Sequence, residues 1–193
     1  VEGQYTANDW SKYASFTPTQ AVAPDAPLLL AEVQRRDIRA EAWDAAQKVK
    51  AMLAEYRISV PGGVDLELSH HYGIERFHEF GLTLLTIVNR GYCKKLLVCL
   101  PGQRHPEQFH RQKEETFHIL HGEVELTLNG QTQLCRAGEV VHIEPEVRHE
   151  FFSHGGAIIE EISSTHFAND SFYTDPAIHQ NANRKTLLTY WMV

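Results

Sequence analysis

Long hydrophobic runs are missing from this 193-residue chain. No stretch approaches the roughly 20 consecutive apolar residues of a membrane-crossing helix, so no membrane partner is expected. Cysteine is sparse. Cys93, Cys99 and Cys135 are odd in number and lack the paired spacing of a zinc knuckle, so they read as small buried hydrophobes in a reducing, cytoplasmic setting. Positive charge is also short. The 18 Lys and Arg against 25 Asp and Glu give a net charge of −7, which argues against a nucleic-acid partner. The first 69 residues hold no histidine at all; all 12 fall between His70 and His179. Metal-capable chemistry is therefore confined to the C-terminal two thirds. The N-terminus lacks the build of a signal peptide and opens at Val1 instead of Met, so a processed chain or a segment of a longer protein is expected.

What is present is enough apolar residue, 42%, for a core of ordinary size. Residues 1–36 mix Thr, Ala, Pro and Gln around Leu28-Leu29-Leu30 and read as an arm. Over residues 37–63, Ala42, Ala45, Ala46, Val49, Met52, Leu53 and Tyr56 recur at steps of three and four, which predicts an amphipathic helix capped by Asp37 and ended before Pro61-Gly62-Gly63. From residue 64 to 193 short β-favouring runs alternate with turn residues, as in an all-β sandwich or barrel. Expected strands include Glu107–His110, Glu115–Leu120, Glu123–Leu128, Arg148–Phe152, Ala157–Ile162 and Thr186–Trp191. Asn129-Gly130 has the composition of a two-residue hairpin turn.

Two stretches carry the chemistry. The first runs from Gly102 through His105, Gln108, His110 and Glu115 to Gly122; the second holds Gly138, Pro145 and His149. Gln108 and His110 share a strand face by the period-two rule, and Glu115 can meet them from the next strand. These stretches resemble the two motifs of the cupin superfamily. That resemblance implies an all-β double-stranded β-helix, or jelly-roll barrel, holding a divalent metal ion (Mn, Fe, Zn or Ni) through His110, Glu115 and His149. Gln108 stands where the superfamily has its first histidine. An amide oxygen suits hard metals and is a poorer donor than imidazole to zinc or copper. A finer resemblance, carried by Leu68–Glu75, Tyr92–Leu96, Lys113–Phe117, Glu160–His166, Asn169–Tyr173 and Arg184–Thr186, is to the C-terminal cupin module of sialic acid synthase family proteins. It implies sugar-acid biosynthesis and a synthase domain in cis or in trans.

Other residues extend the site. Arg104, His105 and Lys113 are candidate binders of a sugar carboxylate or phosphate, with a solvated loop as the alternative for Lys113. Phe151, on the face of His149, either packs on a sugar ring or fills the barrel. Glu160 and Glu161 must face opposite sides of one strand, so one carboxylate should point inward as a general acid/base or as an ion-pair partner of Arg148 or Lys95. His70-His71 is expected at an entrance or a subunit contact. A homodimer is expected, because jelly-roll edges need covering. The functional expectation is metal-assisted isomerisation or epimerisation of a sugar; the alternatives are a non-catalytic sugar-binding or regulatory module and an Fe(II)-dependent dioxygenase.

Overall fold

The computed structural model describes the backbone of residues 26–167, 169–189 and 191–192, with side chains from residue 38 onward. The chain divides into two compact units at Arg36/Asp37. The arm expected over 1–36 lies outside the described residues as far as residue 25. Helix α1 spans Ala26–Glu55, so Asp37 is an interior position and not the expected cap.

The described residues form eleven strands: β1 (Leu66–His70), β2 (Gly81–Asn89), β3 (Cys93–Cys99), β4 (Arg104–Phe109), β5 (Glu115–Leu128), β6 (Gln131–Arg136), β7 (Val140–Ile143), β8 (His149–Phe152), β9 (Ala157–Ser163), β10 (Phe172–Tyr173) and β11 (Lys185–Leu188), with short helices α2 (Phe77–Phe80) and α3 (Pro176–Gln180). They are hydrogen-bonded in the order β10-β4-β8-β5-β9-β3-β2-β1-β11, with β6 and β7 also on β5. Every pairing is antiparallel. The result is a curled jelly roll, as the sequence predicts.

One strand joins the two sheets. The first half of β5 pairs with β9 and β7, the second half with β6 and β8. Two separate strands are expected here, yet a bulge between Ile119 and His121 and a left-handed Gly122 (φ 80°) bend one strand without breaking its ladder. Gly122 has no alternative, because a Cβ there would collide with the Gly156 carbonyl oxygen. Asn129 and Gly130, both at positive φ, make the predicted hairpin between β5 and β6.

Alternation along β1, β2, β3 and β9 gives their sheet two unlike faces. Leu66, Leu68, Leu85, Leu96, Val98 and Ile158 point outward and bury Ala42, Ala45, Ala46, Val49, Met52 and Leu53 of α1. The inner face, with Leu82, Leu97, Cys99 and Ile159, packs on Phe117, Ile119, Val124, Leu126 and Phe151 at one end of the barrel. At the other end the inward residues turn polar, and there a cavity opens. Cys93, Cys99 and Cys135 are free and buried, as expected.

Candidate functional site

His110 follows β4, Glu115 opens β5 and His149 opens β8, and their ligand-type atoms lie within 4.8 Å of one another. All three residues are buried. His110 Nδ1–H donates to the Asp170 carbonyl at 2.6 Å and His149 Nδ1–H to the Val147 carbonyl at 3.0 Å, so each imidazole turns Nε2 with its lone pair toward Glu115. Glu115 Oε2 sits 3.5 Å from His110 Nε2 and 3.3 Å from His149 Nε2. His110 Nε2, Glu115 Oε2 and Gln108 Oε1 are buried without a hydrogen-bond partner. Unmet buried acceptors are costly in a protein interior, and a cation would satisfy these at once. Burial pushes the His149 pKa down, against the pull of the Glu115 charge, which keeps the imidazole in the neutral form that ligates metals. This donor set fits a divalent ion.

The 111–113 loop that links His110 to Glu115 is pinned from outside the two motifs. The Asp170 carboxylate accepts the N–H groups of Arg111, Gln112 and Lys113, while its carbonyl holds His110. The turn before His149 is tied to the same place. Glu146, in the left-handed region at φ 66°, gives its N–H to the His110 carbonyl at 2.6 Å.

A buried charge network adjoins the donors. Lys113 Nζ lies 2.5 Å from Glu115 Oε1 and 3.2 Å from Glu161 Oε1, and Lys95 Nζ lies 3.5 Å from Glu161 Oε1. Ser163 also donates to that oxygen. Because Lys113 occupies Glu115 Oε1, Oε2 is the oxygen left to face the imidazoles. Burial alone would raise the Glu115 pKa, yet the Lys113 ammonium, together with His110 and His149, outweighs it and holds the carboxyl well below its ordinary range. For Lys113 burial acts downward, and the two carboxylates more than reverse it.

Lys95, Lys113 and Glu161, with Gln108, His110 and Glu115, line a cavity of about 160 Å³, room for roughly five waters. Its far wall is built from His105, Phe151 and Tyr173, with Glu67, Arg184 and Lys185 on the β1 and β11 side. His71 backs this wall. Its Nδ1–H donates to the Phe80 carbonyl and its Nε2 accepts from the Tyr173 hydroxyl at 3.0 Å, while burial lowers its pKa to about 4.

The structure brings Gln108, His110, Glu115, His149, His105, Lys113, Phe151 and Glu161 together. Lys113 is buried, so its solvated-loop alternative is corrected. Arg104 is not part of the group. It lies half exposed on the outer face, over the Phe152 ring at 4.9 Å and 3.9 Å from Glu150. The cause is a bulge in β4 between His105 and Gln108, which shifts the alternation by one and turns His105 inward in place of Arg104. Glu160 faces outward too, paired with Lys94 at 2.7 Å and facing His118 at 3.4 Å. His70 and His71 are buried supports and do not stand at an entrance. Asp170, Glu67, Tyr173 and Arg184 escape the motif reading, because they come from β1 or from segments beyond residue 169 that fold back over the site.

The Cupin domain family model matches residues 96–162. The D-lyxose/D-mannose isomerase of Thermosediminibacter oceani is 29% identical over 179 residues, covering 78% of this chain and 96% of that protein. The D-lyxose ketol-isomerase of Thermofilum sp. is 31% identical over 136 residues, covering 55% of this chain and 76% of that protein. Among solved structures, the L-ribose isomerase of Cellulomonas parahominis with L-ribose superposes with a TM-score of 0.63 over 76% of this chain and 95% of that one; at 14% identity it shares the fold. These relatives are sugar isomerases and not sialic acid synthase modules, so the kinship with synthases is corrected. The segments that suggested it, such as Asn169–Tyr173, build the barrel and its site: Asp170 pins the ligand loop and Tyr173 walls the cavity. The chain belongs to the cupin superfamily and, within it, to the family that includes the D-lyxose ketol-isomerase of Thermofilum sp..

Proposed function

We propose that this protein is a metal-dependent ketol-isomerase that interconverts a free aldose of the D-lyxose or D-mannose type with its 2-ketose. The observation that carries the reading is a second carboxylate, Glu161, sharing one ammonium with the ligand-type Glu115 inside the same cavity. His110, Glu115 and His149 would hold the metal. Gln108, whose amide lies 3.3 Å from His149 Nε2, is the fourth candidate donor, since a half-turn of the amide exchanges its nitrogen and oxygen. A bound divalent ion supplies Lewis acidity to neighbouring substrate oxygens.

The rest falls to the chain. Isomerisation takes a proton from C2 and returns one to C1, while the hydroxyl hydrogen passes from O2 to O1; composition is unchanged and no redox partner is needed. Glu161 is the proton carrier in this reading. Its Oε1 is held by Lys113, Lys95 and Ser163, which fixes the carboxylate and leaves Oε2 for the substrate. Lys113 keeps Glu115 in its ligating orientation and presents N–H donors to the cavity.

The test is direct. Purified protein, stripped with chelator and reloaded with Mn, Fe, Zn or Ni in turn, is assayed for conversion of D-lyxose and D-mannose to their ketoses. Turnover that needs metal, with metal content lost in His110→Ala, is the expected result; metal-independent turnover, or none with any aldose, overturns the proposal.

A further inference from the structure

His105 is a buried imidazole that no described residue hydrogen-bonds. It is 4% exposed, and its ring lies flat on Phe151, at 4.9 Å between centroids and 8° between planes. The ring of His71 stands nearly perpendicular to it, at 4.8 Å between centroids. Its Nδ1 is buried and unpartnered, and among the described residues none hydrogen-bonds either ring nitrogen. The ring nonetheless lines the cavity. A polar group so placed costs free energy unless something that enters the cavity completes it.

Its position is built deliberately. Regular alternation along β4 would put His105 opposite Gln108; the bulge between them turns both inward. His105 stands outside the donor cluster, reached from His149 through the rings of Phe117 and Phe151. It therefore lines the cavity at a place apart from the donor cluster.

We infer that His105 reads a hydroxyl on C3 or C4 of the sugar, beyond the reacting C1–C2 pair, and so sets which aldoses the site accepts. This rests on the isomerase reading above. Burial, and then the neighbouring His71, hold the imidazole neutral, with one N–H donor and one lone pair. A hydroxyl is likewise donor and acceptor, so one such group satisfies the ring. Phe151 clamps the ring plane, so the direction of each nitrogen is fixed and an epimer with its hydroxyl elsewhere would leave the imidazole unmet.

The test pairs deletion of the nitrogens with deletion of the hydroxyl. His105→Phe keeps the stack on Phe151 and removes both nitrogens; it is compared with wild type on the best aldose and on its 3-deoxy and 4-deoxy analogues. Wild type should prefer the parent sugar to one of these analogues by about a hundredfold or more in kcat/KM. His105→Phe should lose a similar factor on the parent and nothing further on that analogue, with metal content unchanged. Equal losses on all three sugars, or no loss on any, overturn the inference. His105→Gln, which restores a donor and an acceptor, should recover part of the selectivity and stands in if the Phe variant folds poorly. Thermal stabilisation by the same sugars is read in parallel. Stabilisation that discriminates between them in wild type but not in His105→Phe, without turnover, sinks the isomerase reading and keeps the role of His105; no stabilisation by any sugar sinks both.

Discussion

Two Lys–Glu pairs join β3 to β9, one residue apart in sequence and on opposite faces of the same sheet. Lys94 and Glu160 meet at 2.7 Å with side chains 38% and 22% exposed; Lys95 and Glu161 meet at 3.5 Å with 4% and 3% exposed. The closer pair sits in water and the looser one in the barrel. If stability were the purpose the order would be reversed, since an exposed pair contributes little and a buried one must first repay desolvation. The inner pair is held slack because Glu161 is shared among Lys95, Lys113 and Ser163. The inner carboxylate is buried, held by three groups, and adjoins three buried donor-type atoms left without a hydrogen bond.

The sharpest way to break this comparison is to neutralise the inner carboxylate. Glu161→Gln should lower kcat by about a hundredfold to ten-thousandfold per folded, metal-loaded molecule, the usual contribution of a positioned acid/base. Steady-state kinetics with circular dichroism and elemental analysis on the same sample separate that loss from unfolding or demetallation. A variant that keeps near-native kcat would show that the inner pair is structural. Next in size is Lys113→Met, which removes the ammonium from Glu115 and leaves Glu161 to Lys95 and Ser163 alone. Breaking a buried pair costs about 3–5 kcal/mol, so a large drop in the urea midpoint is expected. Metal affinity should weaken about tenfold to a hundredfold as Glu115 loses the partner that orients it; titration calorimetry on the wild type and variant checks this.

The contrast between the faces also marks how far the sequence could be read. Alternation predicts that only one of Glu160 and Glu161, and one of Lys94 and Lys95, turns inward, because β3 and β9 are regular in that stretch. Without a bulge, period two is a physical certainty, though it does not say which face is the inside. On β4 the same rule misplaces Arg104, since the extra residue between His105 and Gln108 costs little in backbone terms and leaves no mark in composition. His110, Glu115 and His149 are reached through the resemblance to the two cupin motifs, since strand alternation by itself relates only Gln108, His110 and Glu115 and says nothing of His149. Asp170 is not, although it holds three N–H groups of the loop between two donors. It comes from about 60 residues away, through a two-strand contact between β10 and β4 that no local pattern announces. The relation to sialic acid synthase modules fails for a similar reason: segments that serve the barrel recur wherever the barrel does, and they do not name the substrate.

Acid sharpens the comparison from another side, because the cavity end of the barrel is rich in imidazoles buried in neutral form. The folded-state pKa of His71, about 4, lies below the ~6.5 of an unfolded chain. Its contribution is therefore complete above about pH 6.5 and is lost as the pH falls through 4, by up to about 3 kcal/mol. Urea unfolding between pH 7 and 4 should show the midpoint falling, and His71→Gln should flatten the slope; a wild-type midpoint constant over that interval would contradict the burial.

The smallest effect is expected from the outer pair, and for that reason it is the control on which the others depend. Glu160 lies in a strand that contributes Glu161 to the cavity, so a disturbance of β9 itself would reach both. The Glu160 pKa is lowered chiefly by its hydrogen bond with Lys94, a contact that water and salt can replace. Glu160→Gln should therefore change stability by about 0–1 kcal/mol, less in high salt, and leave kcat and metal content at wild-type values. If it instead lowered kcat alongside Glu161→Gln, the two faces would be coupled through the strand, and the loss in Glu161→Gln would have to be assigned to β9 geometry and not to proton transfer.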